Sequence, residues 1–295
     1  MNQNTPALAQ CAQMLNQSDD YQVLRRLQPT QQFNPPNGDD GLHRVCIIDT
    51  ETTGLNTAEC EIIELGYQII EFDSQGHFYR VLSAKNFLNE PQGEITPEVT
   101  KVTGLTLADV KGQHIPWDQV ADDIAQSHLC VAHNAGFDRP VLERYHSVFV
   151  NKIWGCSVAQ IDWERLADVG SRSQEFLCWK IGQFFYGAHR ALDDVQALSE
   201  LLAQPIGEAK LPAFHYLLAK VRQAKSIVQA VGAPFELKDA LRARGYRWDA
   251  KQRVWKKMME EEQVQQECLW LNQHGVSQPH CLKLKATDTF SIRAE

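Results

Sequence analysis

The chain has 295 residues, of which 43% are hydrophobic and 22% are charged, so it can bury a full core and form one to three domains. This length excludes a mini-protein, and no apolar run approaches the roughly 18 residues that a membrane span needs. The N-terminus lacks the basic-then-apolar order of a signal peptide. Its 8 cysteines include no Cys-x-x-Cys pair, which favours reduced thiols over disulfides or a zinc site. We therefore expect a soluble, cytoplasmic protein without a membrane partner.

The charge is unevenly distributed along the chain. The net charge is -8, yet residues 206–295 hold 15 Lys and Arg against 10 Asp and Glu, whereas residues 1–205 hold 14 against 27. Proteins that bind nucleic acids are usually basic. If this protein acts on nucleic acid, its acidic part must neutralise its own carboxylates, most simply with bound metal.

The N-terminal residues predict a small helical extension. Residues 5–27 place apolar side chains at roughly helical spacing on both sides of Ser-Asp-Asp, which predicts two short helices. Residues 28–41 are rich in Pro, Gly and Gln and predict a linker or surface loop. We assign residues 1–42 to this extension and linker.

The middle of the chain predicts an α/β domain over residues 43–204. Short β-branched runs at 44–48, 62–72 and 77–82, the last two joined by Asp-Ser-Gln-Gly, predict three sequential antiparallel strands. Helical patterns begin after Pro97, a further apolar run at 129–132 predicts a buried strand, and helices follow to residue 202. Strands first, then alternating helix and strand, indicate a mixed sheet.

Beyond residue 205 the composition changes, and residues 205–295 predict a small, basic C-terminal α+β module. We expect a strand from Ile227, a short helix ending at Gly245, a hairpin turning at residues 249–252 and a final helix over 260–274.

Acidic side chains recur where predicted strands end or helices begin. Asp49 and Glu51 follow the first strand, Asp138 opens one helix, and Asp193 and Asp194 open another. Singly, each has a structural explanation as a turn acid or a helix-start acid. Together, acids without cationic partners are costly unless metal ions replace the missing charge. Oxygen ligands suit Mg²⁺ or Mn²⁺, and two such ions form a clamp for displacement at phosphorus.

The order and spacing of these acids carry a family resemblance. Asp49-x-Glu51, Asp138 within His-Asn-Ala-Gly-Phe-Asp, and His189-x-Ala191-x-x-Asp194 resemble the three motifs of the DnaQ-like DEDDh 3′-5′ exonuclease superfamily, which includes the proofreading exonuclease subunit of bacterial DNA polymerase III. The resemblance spans roughly residues 43–204. It implies an RNase H-like fold, with a mixed five-stranded sheet flanked by helices, and two-metal-ion hydrolysis that releases nucleoside monophosphates.

The resemblance also implies a role for each motif residue. Asp49 would bridge two Mg²⁺ or Mn²⁺ ions, Glu51 and Asp194 would complete one site, and Asp138 would hold the second ion largely through water. His189 would be the general base, a sensible role because imidazole titrates near the operating pH. The family's spacing leaves Asp193 as a helix-start acid.

Substrate contacts are implied at two loops. The Thr52 backbone and the Leu55 side chain would contact the terminal nucleotide, and Thr103 and Gly104 would lie near its base. For the second loop the alternative is a helix that Pro97 begins and Gly104 ends, and both interpretations stay open.

The C-terminal module interleaves cations with aromatic residues. The cations form a candidate nucleic-acid surface, on which Trp or Tyr would stack on bases; they are Arg242, Arg244, Arg247, Lys251 and Arg253. Alternatively, Tyr246, Trp248 and Trp255 form the module's core, which we favour for the tryptophans. A protein partner of this module is a further alternative.

We therefore expect a metal-dependent 3′-to-5′ exonuclease that acts on a nucleic acid with a 3′ end, with DNA favoured over RNA. The alternatives are a replicative proofreading subunit, an RNA-trimming exoribonuclease and, from another class, a non-catalytic adaptor that binds nucleic acid. The adaptor predicts a broken acidic set, and this set is complete. The oligomeric state is left open by the sequence.

Overall fold

A computed structural model describes residues 5–35 and 41–294. Helix α1 spans Thr5–Leu15 and a two-residue strand, β1, spans Arg25–Arg26. The second N-terminal helix predicted within residues 5–27 is wrong, because β1 pairs in parallel with residues 184–185. Leu27 then packs against the core. The predicted linker is described except for residues 36–40, which lie outside the described residues.

The central sheet has five strands in the order β4-β3-β2-β5-β6. Neighbours among the first three run antiparallel, whereas β5 and β6 run parallel to β2. Their bounds are β2 His43–Thr52, β3 Ile62–Phe72, β4 Phe78–Leu88, β5 Leu129–Ala132 and β6 Ile153–Cys156. The predicted mixed five-stranded sheet flanked by helices is confirmed. Strand β6 was not predicted, because Gly155 interrupts its short apolar run.

Helices and short strands connect and cover this sheet. The helices up to residue 222 are α2 Pro97–Thr103, α3 Leu107–Val110, α4 Trp117–Ala125, α5 Ala135–Glu143, α6 Ser157–Gln160, α7 Trp163–Ala167, α8 Gln174–Leu177, a π-helical turn Cys178–Gly182, α9 Ala191–Ala203 and α10 Ala213–Arg222. The short strands are β7 Phe184–Phe185, β8 Pro205–Ile206 and β9 Leu211–Pro212. In residues 5–35 and 41–294 no helix is both long and apolar enough to cross a membrane.

Strand β2 separates two hydrophobic cores because its side chains alternate between the faces of the sheet. Val45 and Ile47 belong to the core beneath α9 and α10. Cys46 and Ile48 belong to the opposite core, beneath α4 and α5. The same alternation continues into the acidic residues that follow, so it decides which helix each of them faces.

The predicted C-terminal module has its own antiparallel sheet, in the order β11-β12-β10-β13, over a core that contains Val228, Tyr246 and Leu271. The predicted hairpin and final helix are confirmed. Strand β13 was not predicted. The elements are β10 Lys225–Ala230, a 3-10 turn Phe235–Leu237, α11 Lys238–Ala243, β11 Arg247–Asp249, β12 Val254–Glu260, α12 Glu261–Gln273, β13 His280–Leu284, and 3-10 turns Ala286–Asp288 and Ile292–Ala294.

Two segments beyond residue 205 pack against the sheet domain. Phe214 and Leu217 of α10 lie in the core beneath α9. The segment 286–294, which we call the C-terminal tail, packs against α5, whose buried Arg139 donates to the carbonyl oxygen of Thr289 at 2.8 Å. The predicted domain boundaries after residues 42 and 204 stay predictions.

The close approach of α9 to β3 depends on Gly66. A Cβ atom there would lie 2.4 Å from both the Ala191 carbonyl carbon and the Leu192 nitrogen. We predict that Gly66→Ala lowers the free energy of unfolding by roughly 1–3 kcal/mol, since backbone atoms must move to relieve the overlap. Urea unfolding measures the effect, with Gly170→Ala as control because a Cβ at Gly170 meets open space. Equal stabilities of the two variants would contradict the prediction.

Candidate active site

Three predicted acids converge at the carboxyl end of β2. Asp49 and Glu51 lie two residues apart, so they share the face of β2 that packs against α9, and α9 supplies Asp194 from its first turn. One carboxylate oxygen from each of the three lies within 4.8 Å of the other two. Between Glu51 and Thr52 the register with β3 shifts by a bulge, a feature that redirects side chains at strand ends.

Asp138 reaches the same strand from the opposite side. It is buried on α5, and its Oδ1 accepts hydrogen bonds from the Thr50 backbone N–H at 3.1 Å and the Thr50 hydroxyl at 2.9 Å. The pairing of β2 with β5 ends at Ile47. Beyond that point, the Asp138 carboxylate accepts the hydrogen bond from the Thr50 N–H. Asp138 therefore borders the group of three acids without belonging to it.

The start of α9 is fixed by an ion pair that the sequence analysis missed. Glu64 on β3 is fully buried and lies opposite Glu51 in the strand register. It accepts from the Arg190 guanidinium at 2.8 and 3.0 Å and from the Ala191 backbone N–H at 3.1 Å. Burial alone would raise the pKa of Glu64, but the hydrogen bonds from Arg190, Asn86 and Ala191 bring it below the ordinary value.

Asp194 is held by further contacts that no motif indicated. Its Oδ1 accepts from the Tyr186 hydroxyl at 2.9 Å and the Gln174 amide at 3.2 Å, and its Oδ2 accepts from the Arg190 backbone N–H at 3.1 Å. Asp193, the alternative acid of this motif, is exposed. The structure thus places Asp194, and not Asp193, among the converging acids.

Burial raises the pKa of all four predicted acids. Desolvation is the largest cause in each case, followed for Asp49 and Glu51 by the charges of neighbouring carboxylates. The pKa of Glu51 rises to about 8 and that of Asp138 to about 7, although hydrogen bonds from Thr50 oppose the second rise. The pKa of Asp194 rises to about 6 against its own hydrogen bonds, and the pKa of Asp49 lies well above the ordinary range. The charge of Arg190 acts to lower the pKa of Glu51 but does not offset its burial and the neighbouring carboxylates.

His189 lies directly before the Arg190 anchor. Its imidazole is exposed, and its backbone has a left-handed φ of 65°. Left-handed backbone is strained for most residues and, where it occurs, often accompanies a functional site. The positive charge of a protonated His189 also acts to lower the pKa of Asp194, so the side chain lies close to the acids.

The predicted substrate residues differ in their surroundings. The Thr52 hydroxyl donates to the Gly54 carbonyl at 2.7 Å, and the Leu55 side chain is 90% exposed. Thr103 is buried and donates to the Val99 carbonyl, while Gly104 caps α2 with a φ of 72°. The second loop therefore contains the helix that Pro97 begins and Gly104 ends. Substrate binding at this loop stays a prediction.

The predicted nucleic-acid surface divides into paired and unpaired cations. Arg244 forms a two-pronged ion pair with buried Glu267 at 2.8 and 2.9 Å, and Arg242 pairs with Asp239 at 3.4 Å. Of the five predicted cations, the other three, Arg247, Lys251 and Arg253, are exposed and form no ion pair with the described residues. Among the aromatic residues, Tyr246 is buried and Trp255 packs on the module's core, whereas Trp248 is half-exposed. The core interpretation is therefore wrong for Trp248.

Residues 46–202 match the exonuclease family, which is more than half of the chain. The chain therefore belongs to the exonuclease family, and the resemblance found in its motifs is confirmed.

Individual relatives are distant. The chain is 29% identical over 168 residues to DNA polymerase III subunit epsilon of Treponema pallidum, covering 54% of this chain and 74% of that protein. It is 27% identical over 168 residues to the PolC-type DNA polymerase III of Thermotoga petrophila, covering 52% of this chain and 11% of that polymerase. Among solved structures it is similar to exonuclease X in complex with 5′ overhanging duplex DNA, with 24% identity, a TM-score of 0.43, and coverage of 58% of this chain and 99% of the other.

The raised pKa values predict how stability depends on pH. Because the acids titrate at higher pH when folded, the stability they contribute is present below their unfolded pKa near 4 and is lost as pH rises through about 6 to 8. In a chelator, the melting temperature should therefore fall between pH 5 and pH 8.5, and Asp49→Asn should reduce this fall. Thermal unfolding across this range measures the effect.

Excess Mg²⁺ should remove most of this decline in melting temperature, since an ion that binds only the folded protein stabilises it. Asp193→Asn is the matched control and should behave as the wild type. A decline of the same size with Mg²⁺ and in Asp49→Asn would contradict the prediction.

Proposed function

We propose that this protein is a metal-dependent 3′-to-5′ exonuclease that hydrolyses the terminal phosphodiester bond of DNA and releases nucleoside monophosphates. The observation that supports this most is the convergence of Asp49, Glu51 and Asp194 within 4.8 Å in a site where each acid has a raised pKa. Arg190, the cation beside them, is engaged by Glu64. The acids are therefore arranged for an external cation.

The donor set fits divalent magnesium or manganese. Every predicted ligand is a carboxylate oxygen, the donor that these ions prefer, and none is a thiolate or imidazole. Asp49, Glu51 and Asp194 would hold one ion, and Asp49 with Asp138 would contribute to a second. When bound, the ions supply positive charge at the scissile phosphate and lower the pKa of water.

The other residues of the site position Asp194 and deprotonate the attacking water. Glu64 and Arg190 fix the first turn of α9 and thereby the direction of Asp194. His189, exposed beside that turn, accepts the proton of the attacking water, and its exposure allows it to return the proton to solvent. Thr52 and Leu55 lie directly after the acidic strand end, where the terminal sugar and base would rest.

DNA is the proposed substrate because the relatives described above are DNA polymerase III proteins. The cytoplasm is the proposed location for the same reason. An RNA substrate remains the second candidate, since the acids serve both. We further propose that the exonuclease unit includes α10 and that the accessory module begins at Lys225, because α10 shares the core beneath α9.

The first activity prediction concerns the acids. With Mg²⁺ or Mn²⁺, the purified protein should shorten a 5′-labelled single-stranded DNA from its 3′ end, and Asp49→Ala or Asp194→Ala should lower the rate by several powers of ten. A denaturing gel shows the ladder. Asp193→Ala, which changes the exposed neighbour, should retain activity. Full activity in a chelator, or in Asp49→Ala, would refute the proposed function, and a ladder on RNA alone would favour the second candidate.

The second activity prediction concerns His189. His189→Asn should lower kcat by roughly 10²- to 10⁴-fold, the usual effect of losing a positioned general base. Asn is suited to this test because it tolerates a left-handed backbone. Metal affinity, measured by calorimetry, should be unchanged. Loss of metal affinity in His189→Asn would identify His189 as a ligand instead.

A further inference from the structure

A cleft of about 850 Å³ lies between the β11–β12 hairpin and the C-terminal tail. The hairpin contributes Arg247, Trp248 and Lys251 to its walls, the tail contributes Phe290 and Ile292, and one residue of the exonuclease domain, Gly136, completes the lining. The cleft is therefore shared by the accessory module and the catalytic domain.

Gly136 connects this cleft with the candidate active site. It lies on the first turn of α5, two residues before Asp138, which corresponds to about 3 Å along a helix axis. Asp138 in turn contacts the acidic strand through Thr50. The cleft therefore reaches the helix turn that carries Asp138.

The cleft has a positive charge balance. Four cations line it, Arg247, Lys251, Lys256 and Lys257, against a single acid, Asp249. Lys256 is paired with Asp249 at 2.9 Å and Lys257 lies 3.9 Å from Glu267. Arg247 and Lys251 are exposed and have no ion pair in the described ranges, so both can contact a phosphate.

The cleft also offers an aromatic face. Trp248 is 50% exposed, and its ring centroid lies 5.6 Å from that of Trp255, which packs on the module's core and supports it from behind. Ile292 on the facing tail is 59% exposed. A supported, half-exposed indole between unpaired cations is the combination on which an unpaired base stacks while its phosphates are neutralised.

We infer that this cleft binds the single-stranded nucleic acid that leads to the 3′ end, with Arg247 and Lys251 on phosphates and Trp248 stacked on a base. This inference rests on the proposed function and extends it to the strand away from the reacting end. It selects single strands because the bases of a duplex do not present their faces. It also narrows the predicted basic surface, since Arg242, Arg244 and Arg253 do not line the cleft.

Binding measurements on the full chain test this inference. In an Asp194→Asn background, fluorescence anisotropy gives the affinity for a long single-stranded oligonucleotide at several salt concentrations. Trp248→Ala should weaken binding by roughly 10-fold or more. Arg247→Ala with Lys251→Ala should weaken it similarly and reduce the slope of log affinity against log salt by about 1.4, since each single-strand phosphate contributes about 0.7.

A matched control removes two exposed cations outside the cleft, as Arg253→Gln with Lys283→Ala, and should change affinity far less. Equal effects of the two double variants would overturn the inference, because total charge would then explain both. Wild-type affinity in all cleft variants would also overturn it and would favour an acidic protein partner for the cleft. If the cleft variants lose as much affinity for a blunt duplex as for a single strand, the cleft does not select single strands and that part of the inference is wrong.

A second measurement separates this inference from the proposed function. In the otherwise wild-type chain, the cleft variants should raise KM for the long strand by 10-fold or more. They should leave the turnover of a dinucleotide unchanged, since a dinucleotide has only one nucleotide beyond its reacting 3′ residue. Turnover of neither substrate by the wild type would refute the proposed function. Normal turnover of both the long strand and the dinucleotide by the cleft variants would refute the proposed role of the cleft and leave the proposed function standing.

Discussion

Repulsion among carboxylates at the end of β2 is the constraint on which the rest of this structure depends. Asp49, Glu51 and Asp194 bring three like charges within 4.8 Å, and desolvation adds to the cost of ionising each one. The fold must therefore hold these carboxyl groups in place against their repulsion. It does so with groups that act from outside the cluster: Thr50 holds Asp138, and Tyr186 and Gln174 hold Asp194.

The scaffold around the acids accounts for two unusual features of the sheet. Helix α9 crosses β3 so closely that only a residue without a Cβ fits at Gly66. Two residues earlier on the same strand, Glu64 is buried to receive the Arg190 guanidinium and the Ala191 N–H. A buried carboxylate is stable only when it is paired and hydrogen-bonded, and the pair fixes the helix start that carries Asp194. The ion pair between Arg190 and Glu64 therefore supports the site from outside the group of three acids.

The sequence predicted which acids lie near the end of β2 better than it predicted the residues that hold them in place. Asp49, Glu51, Asp138 and Asp194 could be found because strand ends and helix starts are readable from local patterns and the motif spacing adds long-range information. Glu64 could not, because in a strand buried on both faces its carboxylate has no visible partner until α9 is placed. The β1 segment was read as a helix because its pairing with β7, about 160 residues away, leaves no local signal. Trp248 was assigned to a core because burial of a hairpin face depends on the tail that lies opposite.

The anchoring of the C-terminal tail also affects the order in which parts of this chain can fold. The buried guanidinium of Arg139 is satisfied by Glu143 on its own helix and by carbonyl oxygens 148 and 150 residues further along the chain, and Arg293 reaches back to Glu143 at 3.1 Å. During synthesis, α5 must wait for those distant residues before its charge is fully paired, although the rest of the sheet is already made. A nascent chain that stops short of residue 287 would thus leave the Arg139 guanidinium without these two carbonyl partners, and burying a charge without its partners costs free energy.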